Sequence, residues 1–141
     1  MATGSVEYAR VERILDHPPA QVWAIIATFG GLERWADGVT ACAVDGEVRT
    51  VTRNGSTVRE RLDRRDADAR ELAYTILPPH PLPADNVQGT IVLRALGPDR
   101  TQIVWRSEAS DFTMPPTALG ARIEQFYAAS IEGLARLLSA A

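Results

Sequence analysis

The run Val58-Arg59-Glu60-Arg61-Leu62-Asp63 holds the residue with the clearest chemical potential. Side chains on a strand alternate between faces, so Val58, Glu60 and Leu62 share one face, and Thr57, Arg59, Arg61 and Asp63 share the other. The second face is wholly polar and reads as solvent-facing. Glu60 is therefore a carboxylate on an apolar face. In a ligand cavity such a group serves as general acid or base, while a structural ion pair or a rim position is the plainer alternative. Tyr74 shares a face with Leu72 and Ile76 and points inward by the same rule, and a buried phenol needs a hydrogen-bond partner. His80 lies in Pro78-Pro79-His80-Pro81-Leu82-Pro83, where it is either a near-neutral acid/base or simply an exposed loop residue. Arg106 offers a bidentate fork for a carboxylate or an enolate. Its strand, however, alternates so that Ile103 and Trp105 claim the core face. In the preceding strand Val87, Ile91 and Leu93 share one face, and Asn86, Gln88, Thr90 and Val92 the other.

The elements that would position these groups follow from turn signals and periodicity. Residues 6–15 read as a strand, stopped by Asp16-His17-Pro18-Pro19. Asp16 or His17 is expected to cap a helix carrying Val22, Ile25, Ile26 and Phe29, which Gly30-Gly31 ends. A second short helix holds Leu32 to Trp35. Six strand-length runs follow: 39–44, 48–53, 57–65, 70–77, 86–96 and 101–112. Asn54-Gly55 is the strongest hairpin signal among them. The proline-rich block after residue 77 cannot join a sheet interior and reads as a stiff loop. After Pro115-Pro116 the period changes. Leu119, Ile123, Phe126, Tyr127, Ser130, Ile131, Leu134 and Leu138 fall on one face of a helix of about 24 residues, roughly 36 Å long. The expected fold is α+β: a seven-stranded antiparallel curved sheet around a long C-terminal helix, with two short helices after the first strand. A curved sheet gripping a helix leaves space between them, a natural ligand cavity.

Composition narrows the function classes. The 141 residues suit one domain spanning 1–141. The net charge of −3 argues against a nucleic-acid partner. All 15 basic residues are arginine, which excludes a lysine Schiff base. One cysteine, Cys42, rules out a disulfide framework, and with two distant histidines (His17 and His80) no metal site is expected. No nucleophile elbow, dinucleotide fingerprint or P-loop occurs, so no cofactor is expected. Neither membrane insertion nor a signal peptide is expected, which suits the cytoplasm. A monomer or homodimer is anticipated.

The element order, the segment Val22-Trp23…Phe29-Gly30-Gly31-Leu32-Glu33-Arg34-Trp35, the Glu60-Arg61-Leu62-Asp63 run and the terminal Phe126-Tyr127…Leu134 resemble the START/Bet v 1-like (SRPBCC) superfamily. The likeness is to the bacterial polyketide cyclase/dehydrase-like branch in particular, and plant abscisic-acid receptors are similar in the same stretches. The resemblance implies a helix-grip fold with a deep cavity for a hydrophobic small molecule, with Glu60 facing the ligand. It also implies the opposite register for two strands, turning Asn86 and Gln88, and Val104 and Arg106, inward, with Arg106 available to pair with Glu60. His80 would sit in a gating loop. The implied activity is that of a cofactor-free cyclase or dehydratase acting on a polyketide-like carbonyl compound. The alternative is a non-catalytic carrier of a hydrophobic metabolite. The expected catalytic set is Glu60, Arg106, Tyr74 and His80. The expected lining is Trp35, Val51, Val58, Ile76, Leu82, Asn86, Gln88, Val104, Phe126 and Tyr127.

Overall fold

The computed structural model describes residues 4–140. Strand β1 (Val6–Leu15) is followed by helix α1 (Pro19–Ile26) and a single 3₁₀ turn (Leu32–Arg34). Six strands come next: β2 (Val39–Asp45), β3 (Val48–Arg53), β4 (Ser56–Asp66), β5 (Glu71–Leu77), β6 (Asp85–Ala95) and β7 (Thr101–Ser110). Helix α2 (Pro116–Ser139) closes the chain. The seven strands form one antiparallel sheet in the order β1-β7-β6-β5-β4-β3-β2. This is the expected helix-grip architecture. Pro18 occupies the N-cap of α1 without a side-chain cap, so neither Asp16 nor His17 plays the expected capping role. The His17 carbonyl instead accepts a hydrogen bond from Thr101 Oγ1 at 2.8 Å.

Turn chemistry sets the register where the site lies. Asn54 and Gly55 both have positive φ, 50° and 82°, as a two-residue primed turn demands. Arg53 therefore pairs with Ser56, Val51 with Val58, and Arg49 with Glu60. In β6 and β7 the apolar residues decide which face turns inward. Val87, Ile91, Leu93, Ile103 and Trp105 are buried, whereas Asn86 and Gln88 are exposed and Arg106 stays half-exposed. The inward register inferred from the family resemblance for Asn86, Gln88, Val104 and Arg106 is thus reversed. A strand whose large apolar side chains would otherwise face water settles on the other parity. A register shift between Asp85 and Gln88, with Asn86 at φ 54°, marks where β6 adjusts.

Helix α2 buries the predicted stripe, with Leu119, Tyr127, Ser130, Ile131, Leu134 and Leu138 inside. Two glycines let it approach neighbouring backbone. A methyl group at Gly120 would collide with the Tyr8 carbonyl, and one at Gly133 with the Trp35 carbonyl. The core forms two clusters. The larger holds Trp105, Tyr127 and Leu134, and the smaller holds Ala84, Val87, Ala109 and Leu119. Ile76 and Ile123 pack against both.

Gly120→Ala and Gly133→Ala are each expected to destabilise the fold despite alanine's better helix propensity. The cost is about 1–3 kcal/mol of overpacking, read from urea denaturation midpoints. An unchanged midpoint would show that α2 does not approach as closely as described.

Candidate functional site

The pairing of Arg49 with Glu60 across β3 and β4 sets an ion pair on the inward face. Arg49 Nε donates to Glu60 Oε1 at 2.7 Å, with side chains only 4% and 11% exposed. Burying two charges is tolerated when each is paired and its remaining polar atoms are satisfied or stay within reach of solvent. Here Nη1 donates to the Phe29 carbonyl at 2.9 Å. The guanidinium lies 4.2 Å from the Phe29 ring centroid and 4.8 Å from that of Tyr74. Phe29 has φ 64°, an uncommon conformation for a residue with a side chain. That conformation supplies Arg49 with both a carbonyl and a ring face.

A cavity of about 350 Å³ opens on this pair, within the ~300–1,000 Å³ range of small-molecule sites. Val51, Val58, Tyr74, Ile76 and Trp105 line it from the sheet, and Leu119, Ile123 and Phe126 from α2. Leu32, the loop residues Pro81 and Leu82, and Arg53, Asn54, Ser56 and Arg122 complete it. Among the described residues, Arg49 Nη2 and Glu60 Oε2 have no hydrogen-bond partner, and neither is a fully buried atom. The pair thus offers a donor and an acceptor side by side to whatever fills the cavity. Two grooves beside the C-terminal part of α2 are larger, at about 410 and 470 Å³, but hold no buried ionisable side chain.

Tyr74 lines the cavity, but its hydroxyl belongs to an internal network. Trp105 Nε1 donates to it at 3.1 Å. Tyr127 hydrogen-bonds to both Tyr74 and Ser107, and Ser107 Oγ lies 2.8 Å from the Tyr8 hydroxyl and 2.9 Å from the Gln88 carbonyl. Tyr127 also stacks on Trp105, with centroids 4.0 Å apart. Burial pushes the Tyr74 phenol well above its ordinary value, and the neighbouring Glu60 charge pushes the same way. Burial likewise raises Tyr127 and Tyr8.

The expected site residues divide clearly by placement. Glu60, Tyr74, Val51, Val58, Ile76, Leu82 and Phe126 lie at the cavity; Arg106, His80, Trp35, Asn86, Gln88, Val104 and Tyr127 do not. Arg106 extends from the opposite face of β7, its Nε 3.9 Å from Glu7 Oε1, and cannot pair with Glu60. The Asn86 amide donates to Ser110 Oγ at 2.8 Å, and Gln88 is exposed. Val104 is buried beside Trp105 in sequence but on the other parity of the strand. His80 is half-buried in its loop, and its Nδ1 accepts from the Leu82 amide at 3.2 Å, so its neighbours Pro81 and Leu82 supply the cavity wall instead. Trp35 and Tyr127 stand behind Trp105, the first at 5.9 Å between centroids. Arg49 had no place among the sequence candidates. The signal for it was present, because a two-residue Asn54-Gly55 turn makes paired residue numbers sum to a constant, and 49 + 60 equals 53 + 56.

A curved sheet closed by a long helix over a cavity with one buried ion pair defines a helix-grip protein of the START/Bet v 1-like type. The chain belongs to the family described as polyketide cyclase/dehydrase and lipid transport, whose model matches residues 8–139. Its fold is similar to that of XoxI from Bacillus cereus, at 19% identity over 96% of each chain, with a TM-score of 0.85. It is also similar to the ZhuI aromatase/cyclase from Streptomyces sp. R1128, at 16% identity over 96% of this chain and 94% of that one, with a TM-score of 0.78. Ara h 8.0201 matches at 17% identity over 98% of this chain and 100% of that one, with a TM-score of 0.77. No curated protein sequence matches the chain. Among the described residues no helix is long and apolar enough to cross a membrane.

Breaking the ion pair from one side is expected to cost about 3–5 kcal/mol, because it strands a buried charge. Arg49→Met alone should therefore destabilise strongly, and Arg49→Met with Glu60→Met should recover most of the loss in denaturant titrations. Additive losses would contradict the pairing. The phenols give a second test. A folded-state value above the ordinary phenol value of about 10 means the folded state holds its protons more tightly. Stability is then intact below about pH 10 and falls as pH rises through the folded-state values. Ultraviolet titration should show no native tyrosinate up to about pH 10, and ionisation beyond it should accompany loss of near-ultraviolet dichroism.

Proposed function

We propose that this chain is a cofactor-free cyclase or dehydratase that acts on a polyketide-like or other hydrophobic carbonyl compound within the cavity. The observation that carries this reading is the Arg49–Glu60 pair, with a free guanidinium nitrogen and a free carboxylate oxygen at the end of a largely apolar chamber. Arg49 Nη2 would hold a substrate carbonyl oxygen, and Glu60 Oε2 would take a proton from the adjacent carbon. The enolate charge that develops on oxygen would be met by the guanidinium. In a flexible chain held folded by Val51, Ile76, Trp105 and Phe126, the enolate carbon would attack a second carbonyl and close a ring. The alkoxide formed at the attacked carbonyl would take that proton back from Glu60. Glu60 would then remove the second proton from the attacking carbon and pass it to the departing hydroxyl, so that water leaves as the ring double bond forms. Tyr74 would hold Arg49 in place through its ring face and keep its proton, since burial and the Glu60 charge both push its phenol upward. Family membership supports the substrate class.

One observation favours a second reading, in which the chain carries a hydrophobic metabolite unchanged. Glu60 is already held by Arg49 at 2.7 Å, and a fixed pair of this kind can orient a polar group of a ligand without moving a proton. The two readings part in one experiment. The protein is incubated with a linear tri-β-ketone, and formation of the ring-closed phenol is followed by absorbance. Binding is followed separately by the fluorescence of Trp105 and its neighbours. The enzyme reading expects turnover that falls about 10²- to 10⁴-fold in Glu60→Gln while binding persists. Binding without turnover in the natural protein would leave the carrier reading, and full turnover in Glu60→Gln would remove Glu60 as the base.

A further inference from the structure

The charges around the cavity are unevenly distributed. Its lining contains three arginines, Arg49, Arg53 and Arg122, and a single carboxylate, Glu60, although the whole chain carries a net charge of −3. Arg49 and Glu60 offset each other at the inner end. The surplus positive charge therefore lies with Arg53 and Arg122. Phe126 brings these two together. Arg53 lies 4.3 Å over its ring centroid, and Arg122 sits four residues before it on α2, the spacing at which helical side chains are neighbours. Arg53 is anchored from behind, with its Nε donating to the Asp37 carbonyl at 2.9 Å and its Nη2 3.5 Å from the Asp37 carboxylate. Among the described residues Arg122 has no acidic partner. Its one polar contact is a long one, 3.9 Å to the Met114 sulfur.

We propose that the ligand of this cavity carries an anionic group, a carboxylate or a phosphate, held by Arg122 and Arg53 while its apolar body occupies the chamber toward Trp105. This inference rests on the cavity reading above and adds the charge of the ligand and the direction in which it lies. An anion driven inward would meet the Glu60 carboxylate, and burying a charge there without a free cation is costly. Beside Arg122 the same group gains charge-assisted hydrogen bonds and keeps part of its hydration. The headgroup therefore stays at the arginine pair, and the opposite, uncharged end reaches Arg49 and Glu60.

The test uses four probes with one alkyl chain: decanoate, decyl phosphate, methyl decanoate and decanol, titrated calorimetrically at low and high salt. The expected result is that decanoate or decyl phosphate binds at least ~10-fold more tightly than the ester and the alcohol at low salt. Added salt and Arg122→Gln should each remove most of that advantage, and Arg122→Lys should restore part of it, while the ester's affinity changes several-fold less than that of the anion. The stronger of the two anions identifies the headgroup class. Equal affinity for all four probes, or an anion preference untouched by Arg122→Gln and Arg53→Gln, overturns the inference but leaves the cavity reading intact. Failure of every probe, the ester included, overturns both.

Discussion

A guanidinium and a carboxylate, 2.7 Å apart and almost wholly removed from water, constrain the centre of this molecule. Neither charge can be left behind by a shift of its strand, because an unpaired buried ion costs several kcal/mol. The register of β3 on β4 is therefore held twice, by the primed turn at Asn54-Gly55 and by the pair itself. The pair also organises elements that do not belong to either strand. The Phe29 carbonyl and ring, the Tyr74 ring and, through the Tyr74 hydroxyl, Trp105 and Tyr127 all take positions that satisfy or brace it. The left-handed backbone at Phe29 fits this picture, since the strain is local and the contacts it permits are charge-assisted.

Space for a ligand arises from where α2 can and cannot come close. At Gly120 and Gly133 the helix lies against the backbone of Tyr8 and Trp35, with no room for a side chain. Between these points Ile123 and Phe126 face the sheet across the chamber. Two close contacts and an intervening gap are what a straight rod makes against a curved surface. The gap persists because the residues lining it from the sheet, such as Val51 and Val58, are short, and the one large group, Trp105, is stacked on Tyr127. Gly89 has a related role, since a side chain there would occupy the volume of the Tyr74 ring.

Parity in β6 and β7 follows the apolar alternation of each strand. A one-residue difference in where a bulge falls inverts every side chain beyond it. Plain alternation put Val87, Ile91, Leu93, Ile103 and Trp105 inside, and that is where they are. The inverted register would have exposed Trp105 and buried Arg106 although Glu60 is already held by Arg49. Chamber polarity accordingly comes from β3 and β4 rather than from the amides of β6.

Local signals determined the order of elements, the apolar stripe of α2, the turn at Asn54-Gly55 and the inward side of Glu60, because each depends on periodicity or on backbone preferences a few residues long. The partner of Glu60 was also within reach of the hairpin arithmetic, being eleven residues away across a defined turn. Other features depended on groups distant in the chain meeting in space. The Phe29 carbonyl on Arg49, the Trp105–Tyr74–Tyr127–Ser107 network and the nearness of Arg53 to Phe126 join segments twenty to more than seventy residues apart. Such contacts are set by sheet curvature and by the path of α2 over it. Those are properties of the assembled tertiary structure, and no short window of sequence contains them.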